Sequence, residues 1–210
     1  MSGSSLSIGL FGGTFDPVHL GHLVTAEEAL HRLGLEFVLF VPAGNPWLKA
    51  HRRVAPAEHR LAMVRLAVAD NPRFRVSDAE VRRPGPTYTV DTLRELRAEL
   101  GPGVRIHLIL GVDSLAELGR WHRPEEVLRM SAVVGMARPG APPPDLEALD
   151  RIRPGASREV VLLEGPLIGV SGTEIRRRLA AGASVRYMLP TAVEEYIRCH
   201  RLYTFEGGEP

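Results

Sequence analysis

The chain has 210 residues, 44% of them hydrophobic and 24% charged, with a formal net charge of +1. That length fits one domain, or one domain with an appendage, and is enough to bury a sizeable core. The near-neutral charge argues against a nucleic-acid partner, no apolar run reaches the length of a membrane span, and a single cysteine, Cys199, rules out an internal disulfide. Residues 1–5 are small and polar, without the basic flank and apolar stretch of a secretory signal, so a cytoplasmic location is expected. Lys49 is the only lysine. Arginine therefore carries nearly all the positive charge, and its planar fork suits phosphate oxygens.

Taken in chain order, Leu6–Phe11 reads as a short buried strand. Leu20–Leu33 has apolar residues at helical spacing and stops at Gly34. Phe37–Val41 is a second buried strand closed by Pro42, and a Pro/Gly/Arg-rich loop runs from Ala43 to Pro56. Ala57–Ala69 reads as a helix, with Leu61, Val64, Leu66 and Val68 in its apolar set. Phe74–Val76 is a short strand, Tyr88–Leu100 a helix ended by Gly101-Pro102, and Ile106–Leu110 a buried strand. Ser114–Leu118 and Pro124–Met130 are short helices, and Ala132–Met136 is a strand. Pro139 to Pro144 forms a linker, Leu146–Ile152 a helical stretch and Val160–Leu163 a strand. Thr173–Ala180 and Thr191–His200 close the chain as helices. Strands alternating with helices predict an α/β fold: a Rossmann-like, doubly wound parallel sheet with helices on both faces. The expected organisation is a single domain over 6–205, with a small helical C-terminal subdomain from about 171 and flexible ends at 1–5 and 206–210.

The segment Leu10-Phe11-Gly12-Gly13-Thr14-Phe15-Asp16-Pro17-Val18-His19-Leu20-Gly21-His22 carries most of the chemical information. A strand runs into a glycine pair, then a turn, then two histidines on the first turn of a helix. Glycines let backbone N–H groups approach an anion closely, and a helix N-terminus adds partial positive charge. His19 and His22 are three apart and share one face. A zinc site would need further ligands, which the sequence does not offer nearby, so no metal is assigned to the protein side chains.

This string resembles the N-terminal signature of the His-x-Gly-His nucleotidyltransferase superfamily, and Gly-Gly-Thr-Phe-Asp-Pro-Val-His is most similar to the nicotinate-nucleotide adenylyltransferase family. Val170-Ser171-Gly172-Thr173-Glu174-Ile175-Arg176 resembles the superfamily's second signature, Ile-Ser-Ser-Thr-x-x-Arg, with Val for Ile and Gly172 for the second Ser. On spacing alone that segment is a well-capped helix, with Ser171 and Glu174 as a capping box. The resemblance implies instead that Ser171, Thr173 and Arg176 reach the triphosphate of ATP, alongside Gly12, Gly13, Thr14 and Phe15. Gly111-Val112-Asp113, just past a strand, is either a helix N-cap or a ribose-binding acid; the resemblance places Gly111 and Asp113 against the nucleotide sugar.

Thr87-Tyr88-Thr89-x-x-Thr92 resembles the family's Ser-Tyr-Thr-x-x-Thr stretch, which implies that Thr87, Tyr88 and Thr89 hold nicotinate mononucleotide. The N–H groups of a helix start suit a small carboxylate. Trp121, which by itself reads as a core or interface residue, becomes by the same resemblance the stacking partner of the pyridine ring. The loop Asn45-Pro46-Trp47-Leu48-Lys49 departs from the family's usual Pro-Pro-His-Lys, without its histidine; Lys49 reads either as a solvated lysine or, by the resemblance, as a contact to the mononucleotide phosphate, and Trp47 as part of a lid.

The resemblance implies adenylyl transfer from ATP to nicotinate mononucleotide, giving deamido-NAD and pyrophosphate, with His19, His22 and Arg176 as catalytic groups and Mg²⁺ carried in with ATP. A sister pantetheine-phosphate adenylyltransferase, and a non-catalytic nucleotide-binding regulator on the same scaffold, are the alternatives. The expected partners are ATP and nicotinate mononucleotide, with no nucleic acid and no membrane; exposed arginine-rich faces leave a homo-oligomer open.

Overall fold

The computed structural model describes residues 6–46, 54–137, 144–166 and 168–204. Trp47 and Lys49, most of the Pro/Gly linker and the two ends expected to be flexible lie outside the described residues.

Among the described residues, six strands form one sheet: β1 (Ser7–Gly13), β2 (Phe37–Pro42), β3 (Phe74–Val76), β4 (Arg105–Gly111), β5 (Ala132–Ala137) and β6 (Val161–Glu164). Their spatial order is β3-β2-β1-β4-β5-β6 and every pairing is parallel, with Leu10 opposite Leu39 on one side and Leu108 on the other. The chain steps outward from β1 to β3, then crosses back to β4 on the other flank of β1. The crevice at the carboxyl ends of β1 and β4 is therefore the topological switch point, where sheets of this kind bind ligands.

The connecting helices are α1 (Leu20–Arg32), α2 (Ala57–Val68), α3 (Ala79–Arg82), α4 (Thr89–Leu100), α5 (Val112–Ala116), α6 (Pro124–Met130), α7 (Glu147–Asp150), α8 (Gly172–Ala180) and α9 (Thr191–Cys199). They divide between two cores because strand side chains alternate in direction. Phe11, Val38, Phe40, Ile109 and Val134 point to the side covered by α1, α2, α8 and α9. Ile8, Leu10, Leu39, Ile106, Leu108 and Val133 point to the side covered by α4, α5 and α6. Ile175, Val193 and Ile197 of the C-terminal helices join the first of these cores, so this helical part shares its packing with the sheet.

The helix ends follow from local chemistry. Gly34, at φ +58°, ends α1 in a Schellman turn: its N–H reaches the His31 carbonyl and the Leu35 N–H reaches Leu30. One expectation changes, and one element is new. Leu66 is exposed rather than in the apolar set of α2, because Leu61, Val64, Ala67 and Val68 already fill the inward stripe. The short helix α3, only four residues long, carries too little periodicity to be read from sequence. Among the described residues no helix is long and apolar enough to cross a membrane.

Candidate active site

Among the described residues, the switch-point crevice holds two cavities that meet at Thr14. The larger, about 220 Å³, lies beyond β1 and β4 and is lined by Gly12, Gly13, Thr14, Glu80, Thr87, Tyr88, Thr89, Ser114, Glu117, Trp121 and His122, among others. The smaller, about 140 Å³, is lined by Thr14, Phe15, Asp16, Pro17, His19, His22, Val54, Gly172, Thr173 and Arg176. The two signatures, roughly 150 residues apart in sequence, thus face one another across the smaller cavity.

The histidine pair is set by backbone geometry. His19 is the N-cap of α1 and is buried, and its ring stacks on His22 with centroids 3.8 Å apart. The intervening glycine has a steric reason: a Cβ on Gly21 would come within 3.0 Å of the His19 ring. The His19 N–H donates to Nδ1 of His22 at 3.2 Å. An Nδ1 that accepts leaves the proton of a neutral imidazole on Nε2, so this hydrogen bond selects the tautomer with a donor at the far side of the ring. Phe15, held at φ +50°, presses edge-on against the His22 ring at 5.0 Å and limits its rotation. One expectation is narrowed here. The first N–H of α1, on Leu20, is taken by the Met188 carbonyl at 3.1 Å, so it is not available to an anion.

Across the cavity, Ser171 caps α8 by accepting the Glu174 N–H at 3.2 Å, while its side chain stays out of the cavity lining. The reciprocal half of the expected capping box is replaced. The Glu174 carboxylate is drawn outward by Arg177 and Arg178, which hold it well below the usual carboxylate range, at about 2. Glycine at 172, the departure from the family pattern, has a local cause: a Cβ there would sit 2.9 Å from the Asp16 carbonyl oxygen. That close approach lets Arg176 donate through Nη1 to the Asp16 carbonyl at 2.5 Å and through Nη2 to Thr173 Oγ1 at 3.3 Å.

In the larger cavity, Tyr88 is the N-cap of α4 and its ring lies 4.4 Å from that of His122. Thr87 is buried. The indole N–H of Trp121 is buried and finds no acceptor among the described residues. Arg94 clamps α4 to α6 through a bidentate pair with Glu126, at 2.8 and 2.7 Å, which fixes the walls carrying Thr89 and Trp121 relative to each other. Burial pushes the Glu80 carboxyl upward, against the Thr92 hydroxyl that donates to it at 2.7 Å.

Gly111 and Asp113 line neither cavity: Gly111 caps α5 at the end of β4 and Asp113 is exposed on its first turn. Ser114 and Glu117 from the same stretch line the larger one. Among the described residues no three His, Cys, Asp or Glu side chains gather as a metal site.

Sequence reasoning missed the support beneath these cavities. Arg60 is 1% exposed and donates to three backbone carbonyls, those of Ala55 (2.8 Å), Thr14 (2.9 Å) and Gly44 (2.9 Å). Burial lowers its pKa, with Asp16 as the leading opposing charge. Gly44 has no room for a side chain, since a Cβ would lie 2.1 Å from the Glu80 carbonyl. Asp16 is likewise a junction, accepting from the Ala55 N–H and the Tyr203 hydroxyl. Asp16 could have been singled out from its place inside the motif. Arg60 and Tyr203 carry no local signal.

Comparison with known proteins agrees with this geometry. Residues 10–178 match the cytidylyltransferase-like family model. A probable nicotinate-nucleotide adenylyltransferase of Roseiflexus sp. is 48% identical over 201 residues, covering 95% of this chain and 99% of the relative. One from Dehalococcoides mccartyi is 44% identical over 199 residues, covering 95% and 98%. Among solved structures, the nicotinic acid mononucleotide adenylyltransferase of Plasmodium falciparum complexed with NaAD superposes with a TM-score of 0.76 at 19% identity, over 94% of this chain and 97% of the other. The fold, the paired signatures and the full-length similarity together make this chain a member of the nicotinate-nucleotide adenylyltransferase family, within the cytidylyltransferase-like proteins.

Proposed function

We propose that the protein transfers the adenylyl group of ATP to nicotinate mononucleotide, forming deamido-NAD and releasing pyrophosphate. The observation that carries this reading is the pair of cavities joined at Thr14: one lined by imidazole, hydroxyl and guanidinium groups, the other by aromatic rings and a helix start. A phosphate chain fits the first and a pyridine nucleotide the second.

A phosphate oxygen of nicotinate mononucleotide attacks the α-phosphorus of ATP in line. The new P–O bond forms as the bond to the β-phosphate oxygen breaks, and pyrophosphate leaves. The nucleophile is already an anion, so no covalent enzyme intermediate is required, and catalysis rests on positioning and charge stabilisation. His22, with its proton on Nε2, donates to the α-phosphate oxygens as charge grows there, and His19 supports it from the other face of the stack. Arg176, one turn into α8, offsets charge on the departing pyrophosphate, with Thr173 beside it. Gly12, Gly13 and Thr14 line the rim between the two nucleotides. Mg²⁺ enters with ATP as part of the substrate, and no step is assigned to it beyond neutralising the phosphates.

For the acceptor, the start of α4 and the buried Thr87 present polar hydrogens to the nicotinate carboxylate, while Tyr88 and Trp121 offer faces to the ring. Lys49 is reserved for the mononucleotide phosphate, and Gly111 and Asp113 for the adenylate ribose at the open end of β4. The test is pyrophosphate release with ATP and, separately, nicotinate mononucleotide, nicotinamide mononucleotide and phosphopantetheine. Turnover is expected to be fastest with the first. Faster turnover with phosphopantetheine, or none with any acceptor, overturns the reading.

A further inference from the structure

Arg176 reaches the smaller cavity from α8, yet its guanidinium is held chiefly from outside that helix. Nη1 donates to the Asp16 carbonyl at 2.5 Å and lies 3.5 Å from Asp16 Oδ2. Asp16 is itself fixed from two further directions: Oδ1 accepts from the Ala55 N–H at 3.1 Å and from the Tyr203 hydroxyl at 2.7 Å. It is 9% exposed, so these bonds are poorly screened by water. Tyr203 comes from the far end of the chain. After α9 the backbone turns back through Arg201 at φ +49° and Tyr203 at φ +63°. Left-handed backbone at non-glycine residues costs of order 1 kcal/mol or more each and persists where surrounding contacts over-determine it. The turn is held by the Leu202 N–H on Ile197, and its outcome is to place the phenol on Asp16.

We propose that Tyr203 is a positioning residue for adenylyl transfer: acting through Asp16, it fixes the orientation of the Arg176 guanidinium toward the phosphate chain. The phenol does not touch substrate. Its hydroxyl occupies one lone pair of Oδ1, and with the Ala55 N–H sets the plane of the carboxylate, leaving Oδ2 turned toward Arg176. Burial, reinforced by the Asp16 charge, pushes the phenol pKa upward, so it remains a donor throughout the working pH range. Without the phenol the carboxylate rotates more freely and Arg176 is no longer held at one distance from the cavity. Displacements of about 1 Å in a positioned group cost up to about a hundredfold in rate.

This inference rests on the adenylyl-transfer reading, and the experiment separates the two. A double-mutant cycle uses wild type, Tyr203→Phe, Arg176→Lys and both together, with steady-state kinetics of pyrophosphate release on whichever acceptor the wild type adenylylates best and a thermal melt of each variant. Tyr203→Phe is expected to lower kcat about tenfold with both KM values within about twofold. In the Arg176→Lys background the same change is expected to alter kcat by less than about twofold, because the group it positions is already displaced. If Tyr203→Phe melts below the assay temperature, Asp16→Asn takes its place in the cycle with the same two expectations. Independent effects that multiply, or a lowered melting temperature with kcat unchanged, would overturn the proposal. A wild type inactive with nicotinate mononucleotide but active with another acceptor would overturn the substrate assignment alone.

Discussion

Replacing Arg60 with methionine tests the internal support of the site most directly. The side chain is 1% exposed and makes three hydrogen bonds to the carbonyls of Ala55, Thr14 and Gly44. Each charge-assisted bond contributes about 1.5–3 kcal/mol. Against them stands the cost of burying the guanidinium, several kcal/mol, which is also why burial is the first cause of its lowered pKa. Methionine fills much of the volume and removes that cost, but it leaves three carbonyls without their donors. Leaving a buried acceptor without its donor costs about 1–3 kcal/mol, and three of them, offset in part by the desolvation cost that is removed, give an expected net loss of about 3–4 kcal/mol. For a chain of this size that corresponds to a fall in melting temperature of roughly 6–16 °C. Thr14 lies at the junction of both cavities, so kcat should fall about tenfold or more in the fraction that remains folded. Calorimetry and urea unfolding measure the first effect, and pyrophosphate release below the transition measures the second. Arg60→Lys keeps the charge but offers one nitrogen where three carbonyls converge, and should recover less than half the lost stability. A methionine variant within about 1 kcal/mol of wild type would refute the reasoning, because it would mean the three bonds contribute no more than their desolvation costs.

Further outcomes follow from the same geometry. His22→Ala should lower kcat by about 10²–10³, the range for losing one transition-state donor; turnover close to wild type would remove His22 from the mechanism. Trp121→Ala should raise KM for the mononucleotide more than for ATP, whereas an equal rise in both would reduce Trp121 to a packing residue. Glu80 gives a pH test. Its folded pKa is raised by burial above the ordinary 4.5, so between 4.5 and the folded value the native state holds a proton that the unfolded chain has released. Its contribution to stability is therefore complete below about pH 4.5 and is lost as pH rises through the folded value. Glu80→Gln keeps an acceptor for the Thr92 hydroxyl and cannot ionise, so its stability relative to wild type should increase from pH 4 to pH 8 in urea unfolding. A difference that does not change with pH would show that the carboxyl titrates alike in both states.

Local structure was largely legible. Phe74–Val76 and Pro124–Met130 match their expected bounds, and most other elements differ by one or two residues at an end, as helix and strand termini usually do. Both segments are bracketed by turn and cap residues, Asn71-Pro72 and Ser77-Asp78 around the first and Pro124 opening the second, so local pattern is enough to define them. The parallel sheet was also legible, because alternating strands and helices admit few other arrangements. The candidate site was legible wherever a backbone device announces itself: the glycine pair, the two imidazoles at helical spacing and the Ser171 cap. Glycine at 172 was visible as a departure, but its cause, the Asp16 carbonyl 2.9 Å from a Cβ, is a contact between segments some 150 residues apart.

What the sequence determined alone was therefore most of the elements and the residue types at the end of β1 and the start of α8, since these depend on neighbours within a few positions. Only the tertiary structure decided that β4 lies beside β1, that the two signatures share one cavity, and that Arg60, Asp16 and Tyr203 hold them in register. The physical reason is that a buried hydrogen bond leaves no periodic trace in the chain: Tyr203 and Asp16, 187 residues apart, meet because the core beneath them is packed, and nothing near either residue encodes its partner.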